Sequence, residues 1–233
     1  MPDIMAIAEV GINTSLRQLD TISRNVANSN TQGYKREIYL NRGFSTLLPA
    51  QEPSGVPTPP AAQRDLAAGS MKYTGSALNL AIEGHGYFQL RSPQGVLLTR
   101  DGQFQINEHG ELVSAEGYPV LLRGGITLEN TSFQVQGDGT LTAGDSQSQI
   151  DLVDAAPENL QAVGTNHFIA STTAPLASGA GRVRQGYLEM SNVNTLTEMV
   201  DMLGVVRRVE ASQQLLRAYD EILDNAISNL GQF

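Results

Sequence analysis

Residues 78–107 read LNLAIEGHGYFQLRSPQGVLLTRDGQFQIN, and this stretch decides the fold class. Leu78, Leu80 and Ile82 alternate with Asn79, Ala81 and Glu83, and Phe104 and Ile106 alternate with Gln103, Gln105 and Asn107. Successive side chains on a strand point to opposite faces, so a period of two marks half-buried strands. Phe133 and Val135 repeat the pattern further on. The pairs Asp101-Gly102, His109-Gly110, Glu116-Gly117 and Asp138-Gly139 punctuate these runs. A turn that needs φ > 0 takes such a pair readily, so each predicts a hairpin connection. Residues 69–190 are therefore expected to form one antiparallel β-domain of roughly ten short strands.

Outward from this stretch the period changes. Met5, Ile12, Leu19 and Val26 recur every seven residues, with Ala8, Ser15 and Ile22 three positions further on and Leu16 widening the stripe. That is a heptad pattern, and Asn28-Ser29-Asn30-Thr31-Gln32-Gly33 should end the helix. At the other end, Thr195-Leu196-Thr197-Glu198 reads as a capping box. Met202, Val209, Leu216, Leu223 and Leu230 follow at heptad spacing, with Val205, Ser212, Tyr219 and Ala226 beside them. A helix over 195–229 is about 52 Å long at ~1.5 Å per residue. Residues 41–68 hold Pro49, Pro53, Pro57, Pro59 and Pro60, which predicts an extended linker. The expected class is α+β: an antiparallel, Gly-turn-rich β-domain flanked by long N- and C-terminal heptad helices. Its parts are 1–40 (helix and turn motif), 41–68 (linker), 69–190 (β-domain) and 191–233 (C-terminal helix).

Composition removes several functions. The 233 residues carry 24 acids against 15 bases, a net charge of −9, which argues against a basic nucleic-acid footprint. Cysteine is absent, so there are no disulfides, thiolate metal sites or Cys nucleophiles. His85, His109 and His167 are widely spaced, which suits turn or surface residues better than metal ligands. No Gly-x-Ser-x-Gly elbow or phosphate loop occurs. Asp101, Glu108, Glu111 and Glu116 cluster in sequence, but they sit on turns, where acids are ordinary; a glycosidase pair is disfavoured. No catalytic, cofactor-binding or metal-binding residue is expected. No apolar run reaches the ~18 residues of a membrane-spanning helix. The beginning Met-Pro-Asp, with Arg17 the first base, lacks the basic start of a secretory signal.

Three ordered segments carry a resemblance. Asn25-Val26-Ala27-Asn28-Ser29-Asn30-Thr31-Gln32-Gly33-Tyr34-Lys35-Arg36 matches N-x-A-N-x-x-T-x-G-[YF]-K-R at every fixed position, a signature of the bacterial flagellar rod and hook family. Leu80 to Phe88, Thr99 to Phe104, Gly110 to Val113 and Gly117 to Val120 resemble that family's β-domain. Gln185-Gly186-Tyr187-Leu188-Glu189-Met190-Ser191-Asn192-Val193-Asn194 is similar to the segment that leads into its terminal helix. The chain looks like the short rod components. The Gln-Gly-Tyr and Ser-Asn-Val-Asn blocks lean towards the distal-rod type, and the short chain and weakly matching 123–180 lean towards the proximal type.

The resemblance implies a structural subunit of the basal-body rod that polymerises through its terminal helices into a hollow shaft, transmits torque and spans the periplasm. Its partners would be further copies of itself, other rod and hook subunits and the flagellar type III export apparatus, through which it would leave the cell without a cleaved signal peptide. It implies an assembly motif of Asn25, Ala27, Asn28, Thr31, Gly33, Tyr34, Lys35, Arg36, Ser191, Asn192 and Asn194. In that motif Tyr34 is expected to pack on a neighbour, and Lys35 and Arg36 to meet acids on another subunit. The alternative is a non-enzymatic extracytoplasmic β-domain that binds a ligand or acts as an adhesin. The absence of Trp and the terminal heptads count against it.

Overall fold

A computed structural model describes residues 4–39, 63–124, 126–128, 133–171 and 177–230; the side chains of residues 4–7, 220 and 223–230 lie outside the description. The five prolines of the expected linker fall outside the described residues. The chain forms two compact units.

The first unit contains α1 (Ile4–Ala27), β1 (Glu37–Ile38) and α2 (Thr195–Leu230). The two helices pack against each other, because each apolar stripe needs a surface to exclude water. Ile22 and Val205 are buried, while Ile12, Leu19, Val26, Met202, Val209 and Leu216 are half-buried. Met5, Leu223 and Leu230 lie on the helices, with side chains outside the described set. Arg208 donates to the Gln18 side-chain oxygen at 2.9 Å, a polar tie across the helix pair. Arg24, in the last turn of α1, suits the negative end of the helix dipole.

The cap of α2 differs from the expected box. Asn194, not Thr195, is the capping residue: its Oδ1 accepts from the amides of Leu196 (3.1 Å) and Thr197 (3.3 Å). Asn fills this position as well as Thr does. Thr195 is then already helical, and the Glu198 carboxylate is left for another partner.

The second unit, residues 28–36 and 64–193, is a β structure with two four-stranded antiparallel sheets. One is ordered β14 (Leu160–Val163), β15 (His167–Ala170), β6 (Gly95–Thr99), β5 (Phe88–Ser92). The other runs β10 (Gln134–Val135), β11 (Thr140–Ala143), β12 (Ser146–Ile150), β9 (Leu122–Arg123). Four antiparallel pairs complete it: β7 (Phe104–Ile106) with β8 (Leu112–Ser114), β13 (Val153–Asp154) with β16 (Ala177–Ser178), β4 (Leu80–Glu83) with β17 (Arg182–Gln185), and β3 (Met71–Tyr73) with β18 (Tyr187–Glu189). The main core gathers Leu80, Ile82, Phe88, Leu90, Phe104 and Leu112, with the Phe88 and Phe104 rings edge to face at 5.2 Å. Tyr87, Leu98, Val153 and Phe168 form a second cluster.

The α+β class is corrected by this architecture. Counting the short β2 (Gln63–Arg64), there are eighteen short strands and only two α-helices among the described residues, so the chain is mostly β. The two helices do flank the β unit in chain order, and within one unit they pack against each other. The strands outnumber the expected ten because turns interrupt the chain every few residues. Ala81, read as the outward side of an alternating run, is fully buried, since β4 is covered on both faces.

One turn signal also meant something else. Gly110, Gly117 and Gly139 have φ of 76°, 87° and 87°, as their turns require. Gly102 is not among the positive-φ glycines, and β6 and β7 around it pair with other strands. Its carbonyl accepts from the Leu80 amide at 3.0 Å, and a Cβ there would lie 1.5 Å from the Leu80 oxygen. The glycine serves close approach of two backbones. Gly102→Ala should therefore cost about 3 kcal/mol or more, whereas Gly117→Ala, with open space at its Cβ, should cost only ~1–2 kcal/mol of left-handed strain. Urea midpoints of the two variants check the ordering.

Candidate assembly site

The turn motif and the segment before α2 are far apart in sequence, 154 residues from Lys35 to Glu189, and meet in space. Turn chemistry shapes the first. The Thr31 amide donates to the Asn28 carbonyl (3.1 Å) and the Thr31 hydroxyl to Asn28 Oδ1 (3.2 Å). Gly33 follows at φ 66°, where a Cβ would come within 2.4 Å of the Asp101 nitrogen. Only glycine fits, and its amide then donates to the Glu189 carbonyl at 2.9 Å.

Beyond Gly33 the chain dives inward. Tyr34 is 1% exposed, with the Arg64 guanidinium 5.3 Å from its ring centroid. Lys35 is equally buried. Its ammonium donates to Glu189 Oε1 at 2.6 Å and to the Ala67 carbonyl at 2.8 Å. The other carboxylate oxygen of Glu189 accepts from Arg100 at 3.2 Å, and the Gly69 amide donates to Oε1 at 3.0 Å. Arg100 also donates to the Ile82 and Gly84 carbonyls and lies 5.2 Å from the Tyr87 ring centroid. One carboxylate thus joins four segments of the β unit. Burial holds the Lys35 ammonium below the ordinary lysine range, and Arg100 pushes the same way; Glu189 opposes both.

Asn192 adds a second tie. Its Oδ1 accepts from the Arg36 amide at 2.7 Å, and its Nδ2 donates to the Asp65 and Ala67 carbonyls at 2.9 and 3.1 Å. Ser191, nearly buried, takes the Val193 amide on its hydroxyl at 3.2 Å. These contacts correct the expectation that Tyr34 and Lys35 wait for another subunit: their own chain already buries them.

In the helix unit, Asn25 is buried near the end of α1. It exchanges both hydrogen bonds with the backbone of Glu37, its Oδ1 accepting at 2.8 Å and its Nδ2 donating at 2.9 Å. The same Nδ2 lies 3.2 Å from the Glu198 carboxylate. Ala27 is exposed at the end of α1, and Asn194 caps α2. The motif residues thus divide into a helix-unit set around Asn25 and a β-unit set around Glu189. Reading the sequence missed Glu189, Arg100 and Glu37. The first two stand inside the quoted segments, but nothing in a linear pattern marks an acid or base as buried.

Three family models match in chain order. Residues 5–35 match the flagella basal body rod protein family, 81–143 the D1 domain of flagellar hook protein FlgE/F/G, and 184–230 the C-terminal part of the flagellar basal body rod FlgEFG proteins. Flagellar basal-body rod protein FlgF of Mesorhizobium japonicum is 35% identical over 226 residues, covering 92% of both chains. FlgG of Buchnera aphidicola is 29% identical, covering 93% of this chain and 95% of its own. FlgG of Bacillus subtilis is 28% identical, covering 94% and 95%.

Replacing Glu189 by Gln leaves two buried cations short of a counter-charge and should cost about 3–5 kcal/mol. Lys35→Met should cost less, because Arg100 and the Gly69 amide still satisfy Glu189. Its pH dependence has a defined sign. The Lys35 pKa is lower in the folded chain, so between that value and about 10.4 the unfolded chain binds more protons. Stability of the wild type relative to Lys35→Met should therefore rise with pH through this window. Urea titrations of both proteins from pH 7 to about 10 measure it.

Proposed function

The chain belongs to the flagellar basal-body rod protein family and is a structural subunit of that rod, and from this premise we propose how it assembles. The observation that carries the proposal is the outward face of α2. Leu196, Met199, Val200 and Leu203 are 76%, 48%, 67% and 61% exposed, and Leu215 and Ile222 extend the apolar surface. A lone chain has no use for such a surface, and exposed apolar area of this extent marks an interaction site. The inner stripe of α2 packs within the chain, and the outer one seats against neighbouring rod subunits. Repeated around an axis, that contact builds a hollow shaft, and a heterologous contact that does not close extends it.

The subunit works in the basal body as a torque-carrying part of a shaft that crosses the periplasm. Export through the flagellar type III apparatus is part of the same reading. So is a purely structural role, with no catalysis and no bound cofactor. Among the described residues no helix is long and apolar enough to cross a membrane. Relatives named FlgF and FlgG match over comparable lengths, so the proposal is of a rod subunit without a segment.

Leu203→Asp tests the outer face. The residue is exposed in the single chain, so stability should change by less than about 0.5 kcal/mol. In a shaft its carboxylate would be buried without a partner, at a cost of several kcal/mol at each joint. Basal bodies imaged from a strain carrying only this variant should lack rod beyond the point where the subunit enters, as in a deletion strain. Complete rods would refute the outer-face assignment.

A further inference from the structure

The β unit carries a partly exposed aromatic and cationic ladder on β3, β18 and β17. Tyr73 on β3 stands directly opposite Tyr187 on β18, with ring centroids 5.1 Å apart. The Arg184 guanidinium lies 5.2 Å from the Tyr187 ring centroid and 3.4 Å from the Glu83 carboxylate. Arg182 follows two residues away on the same strand, opposite Glu83 and exposed. Tyr73 is 68% exposed, the most exposed large hydrophobic among the described residues of the β unit. A Cβ at Gly186 would come within 3.3 Å of its ring, so the glycine lets the ring lie close against the backbone. The ring is thus seated on its own chain while most of it remains open.

Tyr and Arg are the residue types that dominate interface hot spots, because each offers large contact area together with polar groups. Arg184 is balanced by Glu83, which leaves Arg182 to set the sign of the ladder. The chain as a whole carries a net charge of −9. Its turns display exposed carboxylates at Glu108, Glu111, Glu116, Asp138 and Asp145. We propose that the Tyr73–Tyr187–Arg184–Arg182 ladder docks an acidic turn surface of a second copy of this chain. The ladder and the acidic turns are different parts of one molecule, so a head-to-tail contact between them can repeat along a shaft where it does not close into a ring. Opposite charge on the two patches guides encounter and fixes register, and the tyrosines supply the area. This inference rests on the reading of the chain as a polymerising rod subunit, but it uses the β unit and not α2.

The test places the photo-cross-linker p-benzoylphenylalanine at position 73 of the full chain in motile cells. Irradiation should give a covalent dimer of the chain, and peptide mapping should locate the second end on one of the acidic turns. Arg182→Glu in the same background should lower the dimer yield about tenfold, with the circular dichroism and melting of the purified variant unchanged. If the chain is in isolated rods but position 73 gives no adduct, or adducts only with another protein, the ladder does not bind a second copy. An unchanged yield with Arg182→Glu would equally overturn the charge argument. Absence of the chain from rods would overturn the rod reading itself, and this proposal with it.

Discussion

The Glu189 carboxylate is the constraint around which the β unit is arranged. A buried ionised group is tolerated only when it is paired and its lone pairs are satisfied. Here Lys35, Arg100 and the Gly69 amide meet that demand from three different segments. Each supplier constrains its surroundings. Lys35 can reach the acid only because Gly33 turns the chain against Asp101. Gly69 can present its amide only without a side chain, since a Cβ would lie 1.8 Å from the Met190 oxygen. Glycines that look like flexible punctuation in the sequence are therefore fixed by one charge.

That arrangement explains why two distant segments read as one signature. Residues 33–36 follow α1 in the chain, and residues 189–192 precede α2. The pairing of β3 with β18 and of β4 with β17 brings the two ends of the β unit together. Glu189 and Asn192 then fasten the early turn onto the late strand. The motif is an internal clamp. The surfaces proposed for partners lie elsewhere, on the outer side of α2 and on the tyrosine–arginine ladder.

Much of this was legible in the sequence. The heptads located both helices, and Gly110, Gly117 and Gly139 marked real turns. The fold class was misread because the two heptad helices were given equal weight with the strands, whereas the described residues hold eighteen short strands against two α-helices. Gly102 was misread because a turn glycine and a close-approach glycine look alike in one dimension. The capping box at Thr195 and Glu198 was displaced by one residue, since Asn194 caps equally well and Asn25 takes Glu198. Lys35 was expected to meet an acid on another subunit, but its acid is Glu189 of the same chain. The burial of Lys35 depends on Ala67, 32 residues on, and Glu189, 154 residues on, which no local pattern encodes. The family resemblance carried the function, because no linear rule converts a clamp and an apolar face into a rod.

Native-state hydrogen exchange on the full chain tests the clamp most directly. The Gly33 and Arg36 amides bond to Glu189 and Asn192 across the β unit. If the clamp is an integral part of that unit, both amides should exchange only through the opening that also releases the core amide of Leu80 on β4. Their opening free energies should then agree with that of Leu80 and fall together in denaturant. Exchange of Gly33 and Arg36 through a separate, low-energy opening, with Leu80 still protected, would show that the turn is only loosely laid on the β unit and would contradict the account.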